Sequence, residues 1–457
     1  MAKFTKTAYE TAEDFIFGKA PKPVTLKNGL VIGGGTVYPE VNFTLPPMSI
    51  EEGTLKEVYA NYREIAEGIS KRAYELFAPG FVAEIELLPP TTFHPEWGAE
   101  ICKIVVDVIK EYETKHGVKG AVRITPVDIR EGRDLKHMYH GEHWDNVLKT
   151  FQLSAEAGAD LLSIESIGGK DVHDEGLMDG DIAKCLFALG VIGAKDMEKL
   201  WGEIVKIANA TGTIPAGDTA CGFANTAMVL AETNMIPRVF SAAVRAMAGV
   251  RTLVAVEAGA KGPDKDCGYE GVFIKAVSGT PISMEGRTAA CAHLSSVGNV
   301  AGCACDLWSN ESIQNIKLLG GMAPTVSIEQ LIYDCRLFNG ATKAGPDAAR
   351  LLRDLHADGD SYLDPQAYTL RPDIVLKIAK GVVKENGHYA QAKKAAELAL
   401  LEIKDGHAKG ALNLSDKEIR QADKIMKALD KLPADEGAFV DKIAGTCKKF
   451  NPKHYDM

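Results

Sequence analysis

The chain has 457 residues, 46% hydrophobic and 25% charged, with a formal net charge of −10. A chain of this size buries a large core without staples, and an acidic balance with scattered Lys and Arg argues against nucleic-acid binding. Nine cysteines at irregular spacing argue against a disulfide framework and for free thiols in a reducing cytoplasm.

Residues 1–50 are rich in Pro, Gly and Thr and read as an extended arm. Its start, MAKFTKTAYETAEDFIFGKAP, lacks the apolar stretch of a signal peptide. Asn28-Gly29 within LKNGLVIGG marks a hairpin turn.

From Ile50 helices and strands alternate. The helical EEGTLKEVYANYREIAEGISKRAYELFA precedes the strand FVAEIELL. A helix from about Pro95 to Lys115 precedes AVRITPVDI. The helix HWDNVLKTFQLSAEAG precedes DLLSIES. Helical sequence from DIAKCLFALG through MEKLWGEIVKIANAT precedes GTIPAGD. The helix ANTAMVLAETNMIPRVFSAAVRAMAG precedes TLVAVEA, and PISMEG, GCACDLW and MAPTV complete the strands. Eight apolar strands separated by helices predict a (β/α)8 barrel of the TIM type over residues 51–338. The alternative, a doubly wound open sheet, lacks a G-x-G-x-x-G after its first strand. SAAVRAMAGVRTLVAVEAGA is the nearest approach to a membrane span, and Arg245 and Arg251 interrupt it.

Residues 339–457 are predicted to form a helical extension. Ser415 and Glu418 have capping-box spacing, and Ile419, Ala422, Met426 and Leu429 then keep one helical face apolar. Asn386-Gly387 and Asp405-Gly406 read as helix stops.

A barrel of this kind carries its active site at the C-terminal ends of its strands. Glu165 ends one predicted strand, Asp218 and Cys221 follow the next, and Glu257, Asp264, Asp266 and Cys267 follow the one after. Glu165, Cys221 and Cys267 are suited to hold one zinc ion with a position left open, the arrangement of catalytic zinc. The plain alternative is a strand-end carboxylate with two buried core cysteines. A rival set of ligands exists in Cys291, His293, Cys303 and Cys305. Spacing alone leaves both sets open. The Gly pairs in ESIGGK and LLGGMAP read as tight turns rather than phosphate cradles. His137, His140 and His143 precede a helix, where a solvated or capping role is expected.

The phrases GDTACGFANTAM, GPDKDCGYEG and PISMEGRTAACAHLS, with the N-terminal stretch quoted above, resemble the methanol:corrinoid methyltransferase family of the methanogenic methanol–coenzyme M system. The resemblance covers essentially the whole chain. It implies a (β/α)8 barrel with a zinc ion held by Glu165, Cys221 and Cys267. It implies methyl transfer from methanol to the Co(I) corrinoid of a separate corrinoid protein, since the chain shows no D-x-H-x-x-G signature of its own. It also implies a homodimer within a heterotetramer with that partner. Asp218, Asp264 and Asp266 are candidates to assist the proton that reaches the departing oxygen. The competing readings are a zinc barrel using another methyl donor, a metal-dependent hydrolase or lyase, and a non-enzymatic scaffold for the corrinoid protein.

Overall fold

The computed structural model describes residues 3–44, 48–131, 135–265, 267–286, 296–313 and 317–457. Chain entry is a hairpin, β1 (Lys19–Thr25) and β2 (Val31–Gly34), paired antiparallel. Its turn includes Gly29 at φ +81°, a left-handed position that glycine adopts without strain.

Seven parallel strands follow: β3 (Tyr38–Thr44), β4 (Phe81–Leu87), β5 (Gly120–Pro126), β6 (Leu161–Ile164), β7 (Ile214–Asp218), β8 (Ser283–Glu285) and β9 (Leu307–Ile313). Their order in the sheet is β7-β6-β5-β4-β3-β9-β8. The gap between β7 and β8 is closed by an irregular eighth segment. Lys261 N and Gly262 N donate to Pro215 O and Ala216 O of the β7 side at 2.7 and 2.8 Å. Asp264 then bridges Ile282 in parallel, and Ser283 N donates to Asp264 O at 3.1 Å. Around the ring the strands therefore follow chain order, and the expected (β/α)8 barrel is the fold.

The strand assignments need three corrections. The first barrel strand is β3, inside the segment read as an arm. Val41 and Phe43 pack outward, whereas Glu40 and Asn42 are buried polar residues that gave the stretch no apolar strand signature. Glu40 meets Arg123 of β5 inside the barrel, with Nε–Oε1 at 2.7 Å, and Arg123 Nη1 donates to Ser163 Oγ of β6 at 2.8 Å. Second, TLVAVEA is the end of a helix, Arg238–Ala258, buried along nearly its whole length. A short apolar run has the same look in a buried helix and in a buried strand. Third, MAPTV opens the helix Ala323–Ala344, with Pro324 in its first turn, where the missing N–H costs nothing.

The hairpin is a plug. Val24, Leu26, Leu30 and Ile32 form one buried cluster with Tyr38, Val82, Ala121, Leu161, Ala216 and Leu307, which stand near the starts of the barrel strands. At about 1.5–3 kcal/mol per fully buried aliphatic side chain, this contact holds the arm against the barrel's N-terminal end. Chemistry is left to the other mouth. LLGGMAP belongs to the small hairpin β10 (Lys317–Leu318) and β11 (Gly321–Met322), as its turn reading requires.

The C-terminal helices pack on the barrel helices. Arg238–Ala258 is the one described helix long and apolar enough to cross a membrane, and it is a core element carrying buried Arg245 and Arg251. Helix Asp416–Asp430 starts as expected, with Ser415 Oγ accepting from Glu418 N at 3.3 Å. The Glu418 carboxylate instead caps Arg238–Ala258, accepting from Arg238 N and Val239 N at 3.1 and 2.9 Å. Asp405-Gly406 does not stop a helix: Gly406 lies inside His388–Ala408, where a Cβ would come within 2.4 Å of the Tyr368 ring.

His388, at the start of that helix, ties it to the barrel layer. Its Nε2 meets Glu257 Oε2 at 2.8 Å, at the C-terminal end of Arg238–Ala258, and its Nδ1 lies 4.0 Å from Glu198. Burial pulls the imidazole pKa down, but Glu257, Glu198 and Glu436 outweigh it and raise the pKa above its usual value. The folded value lies above the unfolded one, so this contact stabilises fully below about pH 6.5 and is lost as pH rises through the folded value. The gap in thermal midpoint between the wild type and His388→Gln is expected to be wide near pH 6 and narrow near pH 9. A gap of constant size across that range sinks the assignment.

Candidate active site

Glu165, Cys221 and Cys267 follow three successive barrel positions, β6, β7 and the irregular segment, and meet in the mouth. Their ligand atoms all lie within 4.8 Å of one another. The Cys267 thiol donates to Glu165 Oε1 at 3.0 Å. Cys267 is buried, and Glu165 and Cys221 are half-buried.

Burial and neighbouring negative charge outweigh the nearby cation, Lys265, in setting the two thiols. A hydrogen bond with Cys267 lowers the Cys221 pKa, but burial and the Glu165 charge push it up to about 12. Burial, then Cys221 and Glu165, push Cys267 well above the usual thiol range. Burial and the Glu165 charge thus oppose ionisation of both thiols, and a divalent cation relieves that opposition. Donor identity and spacing therefore fit a zinc-type ion.

Each ligand loop is held from behind. Thr219 Oγ1 accepts from Gly268 N at 2.8 Å, linking the two cysteine loops. Glu270 accepts from Ala220 N and from Thr252 Oγ1. Arg245 Nη1 donates to Gly268 O at 2.6 Å. The Glu165 loop is pinned at four consecutive residues. Ser166 N donates to Asp218 Oδ1 at 3.3 Å, and Arg251 Nη2 donates to Ser166 O at 3.0 Å. Ile167 N donates to Asp128 Oδ2 at 3.1 Å. Gly168 sits where a Cβ would meet Asp196 Cγ at 2.2 Å. Gly169 N donates to the hydroxyl of Tyr455, near the chain's C-terminus, at 3.1 Å. The Gly pair of ESIGGK thus serves close approach and a tight turn.

Other candidates are placed elsewhere. Asp218 accepts from Trp201 Nε1 at 2.7 Å as well as from Ser166, so it braces a loop; burial pushes its pKa up to about 7. Asp264 is buried in the wall against Gly217 and Gly271. Glu257 faces His388, away from the mouth, because the stretch before it is helix. Of the rival set, Cys303 and Cys305 are buried before the start of β9, where Cys305 O accepts from Gly18 N of the arm. Cys291, His293 and Asp266 lie outside the described residues. His137 is mostly buried rather than solvated: its Nε2 meets Asp456 Oδ1 at 2.9 Å and its Nδ1 accepts from Tyr139 N at 3.0 Å.

The sequence reading did not single out Lys265 or Asn225. Lys265 is buried, with Nζ 2.8 Å from Glu84, 3.3 Å from Glu165 and 3.5 Å from Glu86. Its charge holds the Glu165 carboxylate against the acidic wall. A lone Lys between two Asp residues in GPDKDCG carries no periodic signal that would have found it.

A closed barrel with two thiols and a carboxylate gathered in its C-terminal mouth defines a barrel enzyme with a soft, anionic centre. Residues 1–456 match the family described as methanol-cobalamin methyltransferase B subunit (MtaB), and the protein belongs to that family. It is 38% identical to the methanol–corrinoid protein co-methyltransferase of Methanosarcina barkeri (strain Fusaro / DSM 804), over 99% of each chain. Its structure superposes on a chain of the crystallised methanol:cobalamin methyltransferase complex MtaBC of Methanosarcina barkeri with a TM-score of 0.95, at 37% identity and with all of both chains covered.

Proposed function

We propose that Glu165, Cys221 and Cys267 hold a catalytic zinc ion, and that the chain transfers the methyl group of methanol to the Co(I) corrinoid of a partner protein. The observation that carries the reading is the three-donor cluster in the barrel mouth. Family membership and the full-length likeness to a methanol–corrinoid protein co-methyltransferase support the substrates.

When bound, zinc supplies Lewis acidity and an exchangeable fourth position. The rest is the work of the chain. Two thiolates and a carboxylate leave about one formal negative charge in excess over the divalent ion. Lys265, beside Glu165, offsets part of that excess and fixes the carboxylate. The braced loops keep the three donors from drifting apart, which is how outer contacts tune a centre. In the overall reaction the C–O bond of methanol breaks, a Co–C bond forms, and the oxygen leaves after gaining a proton. Asp218 and Asp264, facing other partners or the barrel wall, are not the direct donors in this reading. The described cysteines are free thiols, in keeping with a cytoplasmic setting. The assembly that accompanies the reading is a homodimer within a heterotetramer with the corrinoid protein. Exposed Tyr333, Leu337, Leu351 and Leu355 on two neighbouring helices offer apolar surface for such contacts.

The test is metal content of the purified chain together with methylation of free cob(I)alamin, using methanol, a methylamine and a methanethiol as donors. One zinc per chain and methylcobalamin formed from methanol are expected. Preference for another donor, or turnover of substrate without cobalamin, overturns the reading in favour of the rival methyltransferase or the hydrolase.

A further inference from the structure

One buried side chain touches both cysteine loops. Asn225 Nδ2 donates to Cys221 Sγ at 3.4 Å and also to the backbone oxygen of Cys267. Asn225 is 6% exposed, and its Oδ1 has no hydrogen-bond partner among the described residues. The amide is therefore oriented by its donor side, toward the sulfur and the carbonyl. Local backbone geometry makes this reach possible. Cys221–Asn225 is a π-helical turn that runs directly into the helix Thr226–Glu232. Such single wide turns inside helices recur at functional sites, and residues four apart on a helical turn are neighbours. Here the turn folds the fourth residue after Cys221 back onto its thiol.

We infer that Asn225 is a positioning residue for the thiolate pair: its amide donates an N–H···S hydrogen bond to Cys221, and so moderates the charge that sulfur delivers to the metal, while pinning the loop of Cys267 through its backbone oxygen. This rests on the zinc reading given above. The physical need is plain in the donor set. Two thiolates and a carboxylate over-neutralise a divalent ion, and an electron-rich metal is a weaker Lewis acid. An N–H directed at a sulfur draws density away from it without occupying a coordination position. The bond to Cys267 O adds a mechanical role, since it fixes the spacing of two donors that arrive on separate barrel loops. Losing such an outer partner typically costs about 10–100-fold in metal affinity.

The experiment uses the full chain, stripped of metal and titrated with zinc against a chromophoric chelator. In parallel it is loaded with Co(II), whose sulfur-to-metal charge-transfer band reports the electron density on the thiolates. Asn225→Ala is expected to weaken zinc binding about 10–100-fold and to move the band to lower energy. Asn225→Asp keeps the volume but presents an acceptor and a charge to the sulfur, and it is expected to bind zinc more weakly still. Unchanged affinity and band in both variants overturn the inference. Weakened zinc binding with an unmoved band reduces Asn225 to a backbone brace and overturns the tuning role. Cys267→Ala is the companion control. If it retains tight zinc, the metal reading itself has failed, whatever Asn225 does.

Discussion

Cys267→Ala is expected to lose tightly bound zinc and methyl transfer together. The thiol is buried and lies against both other donors, donating to Glu165 Oε1 at 3.0 Å. Removing it deletes a ligand rather than an outer contact, so the loss of zinc affinity should exceed the roughly 10–100-fold typical of outer partners. On the proposed zinc reading a Lewis acid held there would supply several kcal/mol at the departing oxygen, so a rate loss on the order of a thousandfold or more is expected. Glu165→Gln is expected to be milder. It keeps an oxygen donor but removes a charge, leaving Lys265 with less to pair against at 3.3 Å. The order wild type, Glu165→Gln, Cys267→Ala in both zinc retention and methylcobalamin formation is the measured outcome. Zinc lost with transfer intact makes the metal structural. Zinc retained by an inactive Cys267→Ala moves the metal elsewhere.

The barrel was legible because four of its strands, β4 to β7, are apolar runs separated by long amphipathic helices. What hid β3 was a polar barrel interior: Glu40 and Asn42 face buried partners rather than solvent, and sequence pattern does not separate the two. What hid the sixth barrel position was its irregularity, since Lys261–Asp264 closes the ring through a few backbone hydrogen bonds and no regular strand. TLVAVEA took its place in the reading because it is apolar and lies just before that position. The error cost little at the site, because Cys267 follows the true closing segment even more closely than it follows the false strand. The three donors were visible as residues at strand ends, although spacing left Cys291, His293, Cys303 and Cys305 equally open and only the family resemblance chose between them. The outer groups were not visible at all. Asn225, Lys265, Arg130 and Tyr455 come from four different segments, and only the folded chain brings them behind the mouth.

Arg130→Met is expected to be the most destabilising single change near the site. Arg130 is fully buried and fork-bonded to two carboxylates. Its Nε and Nη2 meet Asp128 Oδ1 and Oδ2 at 2.9 and 2.7 Å, and its Nη1 and Nη2 meet Asp196 Oδ1 and Oδ2 at 2.9 and 3.0 Å. Both aspartates are buried, and both touch the Glu165 loop, Asp128 through Ile167 N and Asp196 against Gly168. Replacing the arginine leaves two uncompensated buried carboxylates facing each other. Breaking a buried pair in this way costs about 3–5 kcal/mol, whereas the intact pair is near neutral against an apolar substitute for all its members. The penalty thus arises from stranded charge, and Arg130→Lys, which keeps the charge but loses the planar fork, should fall between. Thermal midpoints at one scan rate should therefore rank wild type, Arg130→Lys, Arg130→Met. The exposed pair Lys115–Glu111 provides the contrast, since Lys115→Ala should leave the midpoint unmoved. Zinc retention should follow the same ranking, because the loop that carries Glu165 is held by the carboxylates that Arg130 neutralises. An Arg130→Met protein with the wild-type midpoint would show that Asp128 and Asp196 protonate or rehydrate without cost, and the buried cluster would then have no part in holding the mouth.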